Sequence, residues 1–224
     1  MRLTDLSLDE TAQLVAAQLQ PYAIQIEPDA VKFLFEQTQG DRLLVMQVGL
    51  ECFKRLGGAE GLVTPELIAA AIHALVSEGG WGAVTEGLFQ IERDPHSLDA
   101  VVELVKHGST SRAGAADPNA FPDPLTVSGF VREQGGSFEI KSPLHRALLE
   151  HHFSLEHLGE IYFARGDWER AILFWEQELR AGADEEAARK KRTRIFFAGV
   201  SAIYSGTTRR EGYVWLEKCL RAAY

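Results

Sequence analysis

The first 78 residues repeat one arrangement four times, with apolar positions at helical spacing bounded by a polar cap and a glycine or proline stop. Ser7 stands before Leu8, Ala12, Leu14, Val15 and Leu19, with Asp9 and Glu10 where the helix dipole favours acid, and Pro21 marks the end. Glu27-Pro28 opens a second helix carrying Ala30, Val31, Phe33, Leu34 and Phe35, and Gly40 ends it. Asp41 caps a third through Leu43, Leu44, Met46, Gln47, Leu50, Cys52 and Phe53, which stops at Gly57-Gly58. Thr64-Pro65-Glu66 begins a fourth with Ile68, Ala71, Ile72 and Leu75 inward. The spacing predicts a small four-helix bundle over residues 1–78.

After Gly79-Gly80 the pattern changes. Two helical stretches, Trp81 to Glu92 and Pro95 to His107, lead into a Gly, Ser, Ala and Pro-rich segment from Gly108 to Pro122, expected as surface loop tolerant of shortening. A short helical turn follows at Asp123 to Ser128. Gly129 to Glu133 and Phe138 to Lys141 then alternate apolar and polar residues around Gln134-Gly135-Gly136-Ser137, the mark of a β-hairpin. Ser142-Pro143 starts another helix through Leu144, Ala147, Leu148 and Leu149. Two helices, a short helix and a hairpin give the order of a winged helix-turn-helix domain over residues 79–152.

Residues 153–224 contain Leu158-Gly159, Tyr162, Gly166, Trp168, Ala171-Ile172, Trp175 and Leu179, a spacing that resembles one tetratricopeptide-type helical hairpin and occurs once. Gly159 and Ala171 are small where two antiparallel helices would approach, and Tyr162, Trp168 and Trp175 fill the space around them. A single repeat leaves an apolar face that another domain or a partner must cover. Tyr162, Trp168, Trp175 and Trp215 are therefore candidate interaction-surface residues, although helical spacing places most aromatic residues in a core. Residues 181–194 read as a solvated helical face, and the helix around Tyr213, Trp215, Leu216 and Leu220 runs on to Tyr224, an end that reads as cut. The fold class expected is mainly α: a bundle, a winged helix with one β-hairpin, and a tetratricopeptide-like hairpin.

With 46% hydrophobic and 25% charged residues, a chain of this length can bury real cores. Its net charge of -9 argues against phosphate-neutralising nucleic-acid binding. Cys52 and Cys219 lie in separate apolar patterns with no zinc spacing and read as reduced thiols. Neither a signal-peptide core nor a membrane-length apolar run occurs, so the expected location is the cytoplasm, with no membrane partner.

Taken in order, Leu3-Thr4-Asp5-Leu6-Ser7, the Gly40-Asp41-Arg42-Leu43-Leu44 string, the wing from Gly129-Phe130-Val131 to Phe138-Glu139-Ile140-Lys141-Ser142-Pro143, and the helical hairpin resemble a known family. They are similar to the carboxy-terminal half of a bacterial signal-transduction ATPase of the STAND type, in its AAA-like branch. The resemblance implies an upstream P-loop core, in the same or a separate chain, that binds ATP or ADP, and a downstream sensor or effector. It also implies nucleotide-contact candidates. Gly40 and Arg42 match the start of a lid helix near the adenine, with arginine where the family often has proline. Lys141 and Ser142 stand where many members place a histidine and an acidic residue near the ADP phosphate.

No Gly-x-x-x-x-Gly-Lys-Ser/Thr occurs in this sequence, so catalysis and cofactor binding by this chain alone are not expected. His145, His151, His152 and His157, with Glu150 and Glu156 nearby, invite a metal reading. Neighbouring histidines on a helix point to different faces, and the expectation is solvated or packing histidines rather than a metal. A winged-helix transcriptional regulator is the alternative function. Its short third helix around Asp123 to Ser128 has no Lys or Arg, the preceding helix sets Asp99 and Glu103 against a lone Lys106, and Arg132 is the one evident phosphate contact.

Overall fold

A computed structural model describes residues 5–78, 83–107, 109–111, 129–134, 137–182 and 185–204, in a mainly helical chain that divides into two compact units, Met1–His151 and His152–Tyr224. The division expected after residue 78 falls inside the first unit.

In the first unit, α1 (Leu8–Leu19) begins with a reciprocal cap: the Glu10 N–H donates to Ser7 Oγ, and the Ser7 N–H donates to Glu10 Oε2. A 3-10 turn, Gln20–Tyr22, carries the chain past Pro21 into β1 (Ile24–Ile26). Next come α2 (Pro28–Thr38), α3 (Arg42–Arg55), β2 (Gly61–Val63) and α4 (Pro65–Glu78). The four expected helices are present. Val15, Leu19, Leu34, Leu44, Val48 and Ile68 fill the space between them, each at most 1% exposed.

The strands β1 and β2 were not among the expected elements. They pair in parallel, Ile24 with Gly61 and Ile26 with Val63, and the crossover that a parallel pair requires is supplied by α2 and α3. Three-residue runs of Ile-Gln-Ile and Gly-Leu-Val are too short to register as alternation, which explains why helical spacing overshadows them.

The rest of the unit holds α5 (Ala83–Arg93), α6 (Pro95–His107), β3 (Ser109–Ser111), β4 (Val131–Gln134), β5 (Ser137–Ile140) and α7 (Pro143–His152), whose last residue belongs to the second unit. The strands form an antiparallel sheet in the order β3-β5-β4, with Ser109 opposite Glu139 and Val131 opposite Ile140. The expected hairpin is therefore present. The start of the expected Gly108 to Pro122 loop is corrected: residues 109–111 are a strand, because the open edge of β5 offers hydrogen-bonding groups that a polar Ser-Thr-Ser run can satisfy. The remainder of that loop and the helical turn expected at Asp123 to Ser128 lie outside the described residues. Leu98, Val101, Leu104, Phe130 and Leu144 form the buried centre of this module.

The second unit contains α8 (Leu155–Ala164), α9 (Trp168–Arg180) and α10 (Glu185–Tyr204). Ser154 and Asp167 cap α8 and α9, and Gly166, at φ +78°, takes the left-handed conformation that lets the chain reverse between them. A Cβ on Gly159 would lie 2.2 Å from Nε1 of Trp175, so the indole packs directly on the α8 backbone. Tyr162 stacks on Phe174 with centroids 5.5 Å apart, and Phe163 touches both Trp168 and Trp175. Buried Lys191 of α10 pairs with Glu178 of α9.

Candidate functional site

The densest polar cluster among the described residues of the first unit lies where the helical bundle meets the end of β5. Its bundle side is built by the turn between α2 and α3. Gln39 and Gly40 both take positive φ, +51° and +72°, reversing the chain in two residues. The Gly40 carbonyl accepts from the Leu6 N–H at 2.8 Å, and a Cβ on Gly40 would sit 2.0 Å from the Leu6 carbonyl oxygen. Only glycine fits this crossing, which fixes Asp5 beside Asp41. Asp41 caps α3, its Oδ1 accepting from the Leu44 N–H at 3.1 Å, and this directs Oδ2 away from the helix.

The opposite side is built by β5 and α7. The Lys141 N–H donates to the Phe130 carbonyl at 2.9 Å, locking its backbone to the sheet. Its Nζ lies 2.6 Å from Asp5 Oδ1 and 2.8 Å from Asp41 Oδ2. Burial alone would lower the Lys141 pKa, but the hydrogen bonds and charges of Asp41 and Asp5 outweigh it and raise the value. Burial would likewise raise the Asp41 pKa. The Lys141 ammonium and the Leu44 N–H hold it below the usual carboxylate range instead.

Ser142 caps α7, accepting from the His145 N–H at 3.2 Å while its hydroxyl meets His145 Nδ1 at 2.8 Å. The other ring nitrogen, Nε2, lies 3.9 Å from Asp41 Oδ2. His145 is 4% exposed and packs edge-on against Phe130 with centroids 5.4 Å apart. Burial pushes its pKa down to about 4, Asp41 opposing and Lys141 reinforcing that shift, so the ring is neutral near pH 7.

Serine, histidine and aspartate in line have the composition of a nucleophilic triad, but the geometry is structural. Ser142 is 5% exposed with its hydroxyl committed to the cap and the ring, and the imidazole–carboxylate separation exceeds a hydrogen bond. Nor does the cluster suit a nucleotide phosphate as arranged. Two carboxylates share one ammonium, leaving a net negative charge around Lys141.

The sequence-derived candidates thus separate by role. Gly40, Lys141 and Ser142 come together at this junction, each holding local structure. Arg42 lies exposed in the first turn of α3. In the second unit Tyr162 and Trp175 are core side chains, at 3% and 2% exposure, Trp168 is half-buried, and Trp215 lies outside the described residues. Trp175 also backs a pocket of about 410 Å³ lined by Glu160, Phe163, Arg194 and Phe197. Asp5 and His145 were missed as members of a common site: no local pattern links Asp5 or Asp41 to Lys141, and the one local signal for His145 is the Ser142 cap three residues before it.

Next to the junction, α3 shows a second feature. Leu43, Met46 and Leu50 are 39%, 45% and 41% exposed, and their spacing puts them on one face, continuous with the exposed first turn at Arg42. Comparison of the chain with protein-family models, with curated proteins and with solved structures finds no match. Among the described residues no helix is long and apolar enough to cross a membrane.

Proposed function

We propose that this chain is the regulatory, signal-transducing module of a STAND-type ATPase, coupling a nucleotide state held by a P-loop core to protein–protein interaction. The observation that carries the reading is the exposed stripe of α3. Single exposed leucines are ordinary, but Leu43, Met46 and Leu50 line one face of a helix whose opposite face, with Leu44, Val45, Val48 and Cys52, is buried in the bundle. In this reading the P-loop core is the partner that covers this face. Two helices followed by a three-stranded antiparallel sheet support a winged-helix reading of residues 79–152, and the glycine-to-indole packing of α8 and α9 supports a tetratricopeptide-like one.

In this reading the chain performs no chemistry. Nucleotide is bound by the core, and the junction around Asp41 transmits its state through differential contacts. DNA binding is less well supported: Arg132, the wing cation, lies 3.8 Å from Glu139 on the adjacent strand.

The test is titration of the purified chain with any P-loop polypeptide encoded immediately upstream, in the presence of ADP or ATP. The wild type is expected to bind with an affinity that depends on the nucleotide. Met46→Asp is expected to weaken binding at least about tenfold, as loss of a central interface contact does. Failure of the wild type to bind in either nucleotide would overturn the proposal, as would undiminished binding by Met46→Asp.

A further inference from the structure

The helical bundle and the sheet module of the first unit each have their own core, yet Lys141 of one is held by two carboxylates of the other. We propose that Lys141 is a releasable electrostatic latch that selects one arrangement of the two. Its backbone belongs wholly to the sheet module, through the bond to Phe130, while its ammonium reaches across to Asp5 and Asp41.

The two carboxylates are unequal. Asp41 is anchored as the α3 cap and its side chain is 18% exposed, whereas the Asp5 side chain is 49% exposed and lies ahead of α1. When Asp5 departs, Lys141 keeps Asp41 as counter-ion. No buried charge is left unpaired, so the first step of release meets no steep penalty. Full opening returns Lys141 and Asp41 to water, where both are well solvated, and Asp41 retains the Leu44 N–H. Beside them His145 contributes no charge of its own near pH 7, because burial disfavours its protonated form.

A desolvated ion pair of this kind adds little net stability because the cost of removing its charges from water offsets their attraction. What it does add is geometry: a single approach satisfies Lys141, Asp5 and Asp41 together. The latch therefore biases an equilibrium between arrangements more than it stabilises either core, and salt weakens it by screening the half-exposed Asp5. It requires no ATPase core, so its test uses the chain alone and stands or falls separately from the proposed function.

Spin labels at Lys32→Cys on α2 and Glu150→Cys on α7, with Cys219→Ser, report the distance between the two parts by pulsed electron resonance. Cys52 is 1% exposed and does not label. At low salt the otherwise unmodified chain is expected to give one dominant distance. Lys141→Met is expected to raise a second population about fivefold, as loss of an interaction of roughly this class does. Asp5→Asn gives a smaller rise, and molar NaCl moves the parent toward Lys141→Met while changing that variant little. Asp5→Asn alters an exposed side chain outside every helix, so it remains informative if Lys141→Met folds poorly. Identical distance distributions for the parent and Asp5→Asn at both salt concentrations, or a salt response undiminished in Lys141→Met, would overturn the latch.

Discussion

The aromatic hairpin of the second unit and the charged junction of the first hold their parts together by opposite means. Between α8 and α9 the contact is apolar and shape-determined, an indole lying on a glycine with tyrosine and phenylalanine rings around it. At the junction one ammonium is shared between two carboxylates beside a buried neutral imidazole. Packing of the first kind is a large source of stability and tolerates almost no change of shape. Ionic pairing of the second kind nearly cancels against desolvation and sets orientation instead. Substitutions in the hairpin should therefore unfold, and substitutions at the junction should rearrange.

The largest effect is expected at Trp175. Its removal from a site 2% exposed should destabilise the second unit by about 3–5 kcal/mol, read as a fall in the urea midpoint by far-ultraviolet circular dichroism. Gly159→Ala attacks the same contact from the other side, placing a methyl group into the indole, and should cost roughly 1–3 kcal/mol. The pair makes a sharper test than either alone. In a Trp175→Phe background the smaller ring leaves room, so Gly159→Ala should cost distinctly less. A cost equal in both backgrounds would show that the glycine is not there for the indole.

His145 comes next in size. Its pKa of about 4 in the folded chain lies below the ordinary histidine value, so between roughly pH 6.5 and 4 the unfolded state binds the extra proton. Stability of the first unit should therefore fall as the pH is lowered through that window, by on the order of 2 kcal/mol. The lowered pKa of Asp41 adds loss of the same sign as the pH falls further. His145→Asn, which keeps a polar partner for Ser142, should flatten the melting temperature between pH 7 and pH 5. An unchanged slope would mean that another group carries the acid sensitivity.

These two regions also differ in how plainly the chain announces them. The hairpin is legible because its determinants lie within about twenty residues: Gly159, Ala171 and Trp175 recur at helical spacing, and the contacts they make follow from that spacing. The four bundle helices are legible for the same reason, each opened by a local signal: a side-chain cap at Ser7, Asp41 and Thr64, and Pro28 at the start of α2. The junction is not. Lys141 and Asp41 are 100 positions apart, and Asp41 is already explained as a helix cap, so nothing local asks for a second partner. His145 illustrates the limit from the other direction: one of four histidines close in sequence, it is set apart by a serine three residues earlier that both caps the helix and fixes the ring. The parallel pair of β1 and β2 escapes notice because burial by neighbouring helices, rather than strand propensity, brings it together.

The smallest effect on stability is also the one that separates the two regions most cleanly. Lys141→Met keeps the length and the apolar stem of a side chain that is 14% exposed, and it removes one desolvated charge. Its loss leaves Asp41 without a counter-ion, but half-exposed Asp5 can turn to water and Asp41 keeps the Leu44 N–H, so the net cost should stay at about 1 kcal/mol. Asp41→Ala should cost more, about 1–2 kcal/mol, because it deletes the α3 cap as well as the anchored half of the pair. If Lys141→Met instead lowered the midpoint as far as Gly159→Ala does, the junction would be a stabilising core element like the hairpin, and the contrast between holding shape and setting orientation would fail. If it left the midpoint in place while altering the distance between α2 and α7, stability and arrangement would be shown to reside in different residues of one chain.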